Sequence, residues 1–388
     1  MKKIKTFLKR FLPLPTVWAE RNHEELLQNF HFLLKRQTIM LNILEEHIIA
    51  NNRQIDTLLS HLKDHIAKDN KQADTLLSHL KGHIAKDSKN ANLLVHLLKD
   101  YDYYERMSMR PKDYKKALKD MYKSKTGQNL DLDNPQTFSE KMYWLRLYDN
   151  TSLKSRLACK YSVRDYVKEK IGEEFLIPLL GVWDNFDDID FNKLPDKFVL
   201  KCTHGWDMNI IVQDKGSLDL WDARYKINSW LRYNHAFGDL QQHMKIIPPK
   251  IIAEEYMENT AGDLYDYKFW CFNGEPLFVA FVMDRQKEKK EGYFDVDWNK
   301  TSFSKRGSIP LDCEVPKPTN LYRLVNLSKQ LAEGLSFARI DLYVLNDGTV
   351  KFGEITFHPS GGINVWEPPE YDLILGEKLK LPIDNAEK

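Results

Sequence analysis

Two carboxylates near the C-terminal end, Asp341 and Glu354, are the residues best placed to do chemistry. They lie in the stretch Ser336–Gly362, where Ile340, Leu342 and Val344 alternate with Asp341 and Tyr343. A period of two marks a half-buried strand. Asn346-Asp347-Gly348 is a strong turn signal, and Val350, Phe352 and Ile355 belong to a returning strand. An antiparallel hairpin sets the two acids side by side, although 13 positions separate them. Arg339 and Thr356 fall at the same end, and Gly361-Gly362 follows. Two carboxylates beside an arginine make a hard, oxygen-rich site. Such a site suits Mg²⁺ held by one or two carboxylates together with nucleotide phosphates. An ordinary hairpin with polar edges has the same spacing.

A second group is cationic. Lys201 sits inside the apolar strand Phe198–Cys202. A lysine there is costly unless its ammonium reaches an anion or solvent. The turn His204-Gly205 follows, and backbone N–H groups at a glycine turn can cradle a phosphate. A strand from Pro249 to Met257 carries Glu254, Glu255 and Tyr256. Tyr265–Gly274 and Leu277–Asp284 read as two strands joined at Asn273-Gly274. Lys268 lies on the first, and Asp284-Arg285 ends the second.

The elements that must hold these side chains are legible in outline. Asp113–Thr126 reads as a helix and Asp131–Pro135 as a turn. Thr137-Phe-Ser-Glu140 resembles a capping box that opens a helix through Leu147. Leu153–Ile171 reads as one helix carrying Lys160 and Arg164. Trp221–Tyr233 is a further helix, a strand runs Asn209–Val212, and Leu321–Leu335 is a helix leading into the hairpin.

The N-terminal part is of another kind. Residues 1–19 form a basic amphipathic segment, with Lys2, Lys3, Lys5, Lys9 and Arg10 among Ile4, Phe7, Leu8, Phe11 and Leu12. It is expected to contact an anionic membrane surface or to remain solvated. Residues 20–100 contain no proline, and Asp56–Asp69 returns almost unchanged as Asp74–Asp87. An 18-residue period is about five helical turns, so each copy presents the same face. The expectation is a long amphipathic helix that self-associates as a homo-oligomeric coiled coil. His61, His65, His79 and His83 came as copies within the repeat, and solvated or interface histidines suit them better than metal ligands. Residues 101–136 are a linker and first helix, and 137–388 a globular domain.

With 388 residues, 42% of them hydrophobic, the chain can bury a sizeable core. A formal charge of +1 gives no global field calling for nucleic acid. Four cysteines without a CxxC pair fit a reducing cytoplasm without a disulfide framework. No apolar run reaches the roughly 18 residues of a membrane span. The expected location is cytoplasmic, with the inner face of the cell membrane as an alternative.

Taken together, Phe138-Ser-Glu-Lys141, Lys160-Tyr-Ser-Val-Arg164, Pro178-Leu-Leu-Gly-Val-Trp183, Phe198–Gly205, Ile252-Ala-Glu-Glu-Tyr256, Asp266-Tyr-Lys-Phe269, Arg339-Ile-Asp341 and Gly353-Glu-Ile-Thr-Phe357 resemble the ATP-grasp superfamily. They look most like its TupA-like branch, found among teichuronopeptide and capsule biosynthesis proteins, over residues about 137–381. The resemblance implies an α+β ATP-grasp fold in which two subdomains clamp a nucleotide. It implies phosphate contacts from Lys160, Lys201, His204 and Gly205, and an adenine and ribose linker at Glu254, Glu255 and Tyr256. Lys268 and Arg285 would face phosphate or substrate, Asp341, Glu354 and Thr356 would hold Mg²⁺, and Arg339 would stabilise charge on the transferred phosphoryl group. The implied cofactors are ATP and Mg²⁺. The implied reaction joins a carboxylate-bearing sugar or amino acid to an amine through an acyl phosphate. Alternatives are a glycosyltransferase-type enzyme, for which Asp295-Val-Asp297 fits the Asp-x-Asp pattern but sits in a polar loop, and a non-catalytic scaffold. Relatives commonly carry asparagine where this chain has Thr356, aspartate where it has Cys159, and small residues where it has Trp206-Asp207.

Overall fold

The computed structural model describes residues 103, 106–107, 109–257, 264–283, 288–311 and 313–382. All belong to the second of two compact units, Leu98–Lys388. The expected membrane-facing segment, the repeat helix and its self-association lie outside the described residues, as does Arg285.

The chain enters through helix α1 (Tyr114–Thr126), then α2 (Phe138–Tyr148). The expected capping box is present in both halves. Thr137 Oγ1 accepts from Glu140 N at 3.2 Å, and Glu140 Oε2 accepts from Thr137 N at 3.0 Å. A box of this kind stabilises a helix start by about 1 kcal/mol. The single helix expected over Leu153–Ile171 is instead two, α3 (Ser152–Ala158) and α4 (Val163–Lys170). Cys159 turns to extended backbone, and Lys160 N donates to Thr203 O at 2.9 Å. That long-range bond competes with the helix's own, and it swings Lys160 towards the turn after the next strand pair.

A four-stranded antiparallel sheet follows in the order β1-β4-β2-β3. Its strands are β1 (Leu179–Trp183), β2 (Phe198–Cys202) and β3 (Asn209–Val212), then α5 (Leu220–Leu231) and the single turn α6 (His235–Gly238), then β4 (Ile251–Glu255). Phe198, Leu200, Cys202, Ile251 and Ala253 face one core with Ala223 and Ile227 of α5. Strand alternation therefore sends Lys201 and Glu254 to the opposite face.

The six-stranded sheet comprises β5 (Tyr265–Phe272), β6 (Glu275–Met283), β7 (Lys290–Asp295), β9 (Ile309–Pro310), β10 (Phe337–Val344) and β11 (Val350–Thr356), in the order β11-β10-β5-β6-β7-β9. A short strand β8 (Ser304–Lys305) pairs with β12 (Trp366–Glu367). Helix α7 (Leu321–Ala332) precedes β10, and α8 (Tyr371–Lys378) is the last helix among the described residues. One sheet face buries Tyr267, Phe269, Val279, Phe281, Ile340 and Leu342 against α7 and α4. The other face is divided. One end is aromatic, with Trp270, Phe272, Phe278 and Phe337 packed on Phe138 of α2 and on Trp366. The other end carries the charged residues described next.

Candidate active site

The hairpin β10–β11 pairs Asp341 with Glu354 and Arg339 with Thr356. A bulge makes this possible. Asp341 stands opposite Glu354, but Leu342 stands opposite Phe352, so Gly353 is the extra residue. Without it, Phe352 and Glu354 would share a face. With it, Phe352 and Ile355 both reach the core, while Glu354 and Thr356 both reach the site. A side chain at position 353 has no room: its Cβ would meet Asp341 O and a Tyr343 ring carbon, each at 3.0 Å.

Arg339 ties the hairpin's polar groups together. Its Nε donates to Asp341 Oδ1 at 2.6 Å, and its Nη2 to Asp341 Oδ2 at 2.7 Å, Glu354 Oε1 at 2.8 Å and Thr356 Oγ1 at 3.0 Å. The Thr356 hydroxyl donates to Glu354 Oε1 at 2.8 Å. On the neighbouring strand, Lys268 stands opposite Asp341 and bonds it, and it also pairs with Asp266 at 2.7 Å. Burial pushes the Asp341 carboxyl up, against the pull of Arg339 and Lys268. Enclosure would also raise Glu354, but Arg339, Lys160 and Lys268 hold it down at about 2. Burial works against the charge of Arg339, yet Asp341 and Glu354 raise its pKa above the ordinary value. At neutral pH Glu354 is therefore an anion and Arg339 a cation.

The four-stranded sheet presents a second network. Glu254 is buried between Arg164 of α4, whose Nη1 donates to Oε1 at 2.9 Å, and Lys201 of β2, which reaches Oε2 at 2.6 Å. Arg164 Nη2 also donates to Ile177 O at 2.8 Å. Lys160 donates to Gly205 O. Burial lowers the pKa of Lys160, while Glu354 favours its charged form and Lys201 opposes it. Lys160 thus lies within electrostatic reach of both Lys201 and Glu354.

Of the residues singled out from the sequence, Arg339, Asp341, Glu354, Thr356 and Lys268 form one cluster. Lys160, Lys201 and Glu254 form its neighbour. The His204 ring faces away from its own turn: Nε2 lies 3.0 Å from both Trp230 O and Tyr233 O, at the C-terminal end of α5, which fixes the turn against that helix. Glu254 is engaged by Arg164 and Lys201. Glu255 is exposed, with its N–H bonded to Pro178 O at 3.0 Å, and the Tyr256 hydroxyl accepts from Gln213 at 3.0 Å. Trp206 packs on His235, with ring centroids 3.5 Å apart. Asp295 spends its carboxylate on Asp297 N, Asn299 N and Asn299 Nδ2 at 2.8–2.9 Å, so Asp295-Val-Asp297 is a local turn.

Arg164 and Asp266 were missed as site residues. Both lay inside motifs already noticed. Asp266 precedes Lys268 by two on one strand, so the two share a face.

Mg²⁺ fits the donor set in part. Asp341, Glu354 and Thr356 offer oxygen ligands on paired strand positions, which is the chemistry Mg²⁺ prefers. Among the described residues no three His, Cys, Asp or Glu side chains converge into a complete metal cage. The remaining ligands would have to be phosphate oxygens and water. No helix among the described residues is long and apolar enough to cross a membrane.

A family profile described as TupA-like ATPgrasp matches residues 140–380. A search of curated protein sequences returns no match. Among solved structures, the chain is similar to an L-amino acid ligase from Bacillus licheniformis, with 16% identity, a TM-score of 0.38, and 59% of this chain and 51% of that one covered. It is similar to D-alanine–D-alanine ligase from Bacillus anthracis complexed with ATP, at 14% identity, TM-score 0.34, covering 53% and 56%. It is also similar to N5-carboxyaminoimidazole synthetase from Staphylococcus aureus complexed with ADP, at 10% identity, TM-score 0.33, covering 58% and 53%. The chain thus spans about half the length of each.

Proposed function

The chain belongs to the TupA-like ATP-grasp family, and from that premise we propose that it is an Mg-ATP-dependent ligase joining a carboxylate to an amine in the assembly of a surface polysaccharide. The observation that carries the reading is a pair of charged networks, Lys201–Glu254–Arg164 on and beside the four-stranded sheet and Arg339–Asp341–Glu354–Lys268 on the six-stranded one, with the enclosed Lys160 bonded to Gly205 O.

Phosphoryl transfer needs positioned cations and little covalent chemistry from the protein. Lys160 and Lys201 supply positive charge where nucleotide phosphates would lie. Asp341, Glu354 and Thr356 would hold Mg²⁺, which when bound would supply positive charge to the phosphates. Arg339 is aimed by four oxygen atoms of three residues, and its guanidinium would stabilise charge as it builds on the transferred group and on the tetrahedral intermediate. The carboxylate of the substrate would attack the γ-phosphorus and release ADP. The amine would then add to the acyl phosphate carbonyl, and phosphate would leave as the amide forms. No nucleophilic side chain is required.

The test is ADP release by purified protein with Mg-ATP, uronates or amino acids, and amines. Carboxylate labelled with ¹⁸O should pass one label into the released phosphate. ADP release without label transfer would exclude the acyl phosphate. No release across the panel would sink the ligase reading. Mass spectrometry of surface polysaccharide from cells with and without the protein then reads which amide-linked group is lost.

A further inference from the structure

Three cations surround the turn that follows β11, and the chemistry above uses none of them. Arg146 of α2 is wholly buried. Its Nη2 donates to Gly361 O at 2.5 Å, its guanidinium lies 4.7 Å from the Tyr143 ring centroid, and its Nε has no hydrogen-bond partner. Lys125, at the end of α1, is exposed. A Cβ on Gly361 would lie 3.6 Å from Arg146 Nη2 and 3.9 Å from Lys125 Nζ. Gly361 has φ +64°, a left-handed conformation that favours glycine. On the other side of the turn, Lys305 of β8 donates to Ser360 Oγ.

Among the described residues none of the three forms an ion pair. Asp239 acts on Lys125 and Arg146, and Glu291 on Lys305, only through space. Burial lowers the pKa of all three cations. Several other enclosed cations among the described residues are paired: Lys154 with Asp149 at 2.6 Å, Lys201 with Glu254, Lys268 with two aspartates. Arg146 is a desolvated cation without a counter-ion, which is costly, and an anion held at the turn by the more open Lys125 and Lys305 would offset that cost through space.

We propose that Lys125, Arg146 and Lys305, with the Ser360-Gly361 turn, form a binding site for a phosphate monoester or diphosphate group carried by a substrate. Three cations favour a phosphate dianion over a single carboxylate; Lys125 and Lys305 would contact it, while the wholly buried Arg146, bonded to Gly361 O, adds its charge from behind the turn. The turn begins three residues after Thr356, so a phosphate held there keeps the rest of its molecule near the hairpin's polar end. Its assignment to a substrate of the ligation rests on the ligase reading; the anion site itself does not.

The test is calorimetric titration of the full chain, without nucleotide or metal, using inorganic phosphate, glucose 1-phosphate and acetate. Expected are binding of both phosphates, no comparable binding of acetate, and a loss of roughly tenfold in phosphate affinity for each of Lys125→Gln and Lys305→Gln. Lys125→Arg should retain binding. Lys201→Gln should retain it too, while weakening Mg-ATP. Arg146→Lys is a poorer probe, because a wholly buried change endangers folding, whereas Lys125 is exposed. Phosphate binding lost only in Lys201→Gln would place the anion in the nucleotide site and overturn the proposal. So would unchanged affinity in the Lys125 and Lys305 variants, or binding of inorganic phosphate with glucose 1-phosphate excluded. Because no nucleotide is present, failure of the ligase reading leaves this result intact.

Discussion

The two sides of the β10–β11 hairpin's polar end differ in how charge is balanced. At the hairpin itself every carboxylate has a cation: Asp341 has Arg339 and Lys268, and Glu354 has Arg339. At the turn beyond it, Arg146, Lys125 and Lys305 have no acid in ion-pair contact among the described residues. A network closed on itself is rigid and positions its members without help. Unpaired cations hold their places through packing and carbonyl contacts, and their charge is left for something that binds. The contrast separates residues that shape a site from residues that wait on a ligand.

The sharpest way to break the comparison is at Asp341. Asp341→Asn keeps the size of the side chain but leaves Arg339 and Lys268 facing a neutral amide. ATP-dependent ADP release should fall by about 10²–10³-fold, the order seen when one group stabilising developing charge is removed. Turnover within threefold of the unaltered protein would mean that the closed network is scaffold only. Glu254→Ala tests the same logic on the other sheet. It leaves the half-buried Arg164 and Lys201 without their acid; losing one partner of a fully buried pair costs about 3–5 kcal/mol, and the partial exposure here brings the expected loss to about 1–3 kcal/mol. Urea denaturation reads that loss. A change below about 1 kcal/mol would show that solvent reaches these cations freely.

What could be read from the sequence was local. The alternation Ile340-Asp341-Leu342-Tyr343-Val344 and the Asn346-Asp347-Gly348 turn specified the hairpin and set Asp341 beside Glu354. The bulge was written in the spacing too: Val350 and Phe352 are two apart, whereas Phe352 and Ile355 are three, so the strand must change parity between them. The break between α3 and α4 was not legible. Cys159-Lys160-Tyr161-Ser162 contains no glycine or proline, and the helix yields to a bond with Thr203, over forty residues on. The partners of the His204 ring were not legible for a similar reason, since they are carbonyls at the end of α5. Lys125, Arg146, Lys305 and Gly361 share no local pattern, and only the tertiary fold brings them to one turn.

The bulge offers a graded test. Gly353→Ala adds one methyl group against Asp341 O and the Tyr343 ring, each 3.0 Å from its ideal position. Overpacking of this kind costs about 1–3 kcal/mol. If the strand shifts to relieve it, Glu354 turns away from Asp341 and Mg-ATP affinity falls along with stability. If stability falls but Mg-ATP affinity does not, the register of the two acids is not what binds the nucleotide. Chemical denaturation and calorimetry on the one variant distinguish these results.

The smallest effect expected is one of pH, and it concerns the paired and unpaired regions alike. His243 packs against His358, with ring centroids 5.2 Å apart, near Lys154 and Arg146. Burial, with the charges of Lys154 and Arg146, lowers its pKa from 6.5 to about 3. The unfolded chain therefore takes up a proton at this residue near pH 6.5, while the folded chain resists until about pH 3. Between those values the unfolded state binds more protons, so stability falls as pH is lowered. His358 is depressed in the same direction by burial and by His243. Glu354 adds to the slope only further down, since its charge is lost as pH falls from 4.5 towards 2. Thermal melts of the unaltered protein and of His243→Phe should therefore diverge between pH 7 and 5, with the variant showing the flatter profile. Parallel profiles would mean that the folded protein accepts the proton at His243 as readily as the unfolded chain does, which the cations Lys154 and Arg146 oppose.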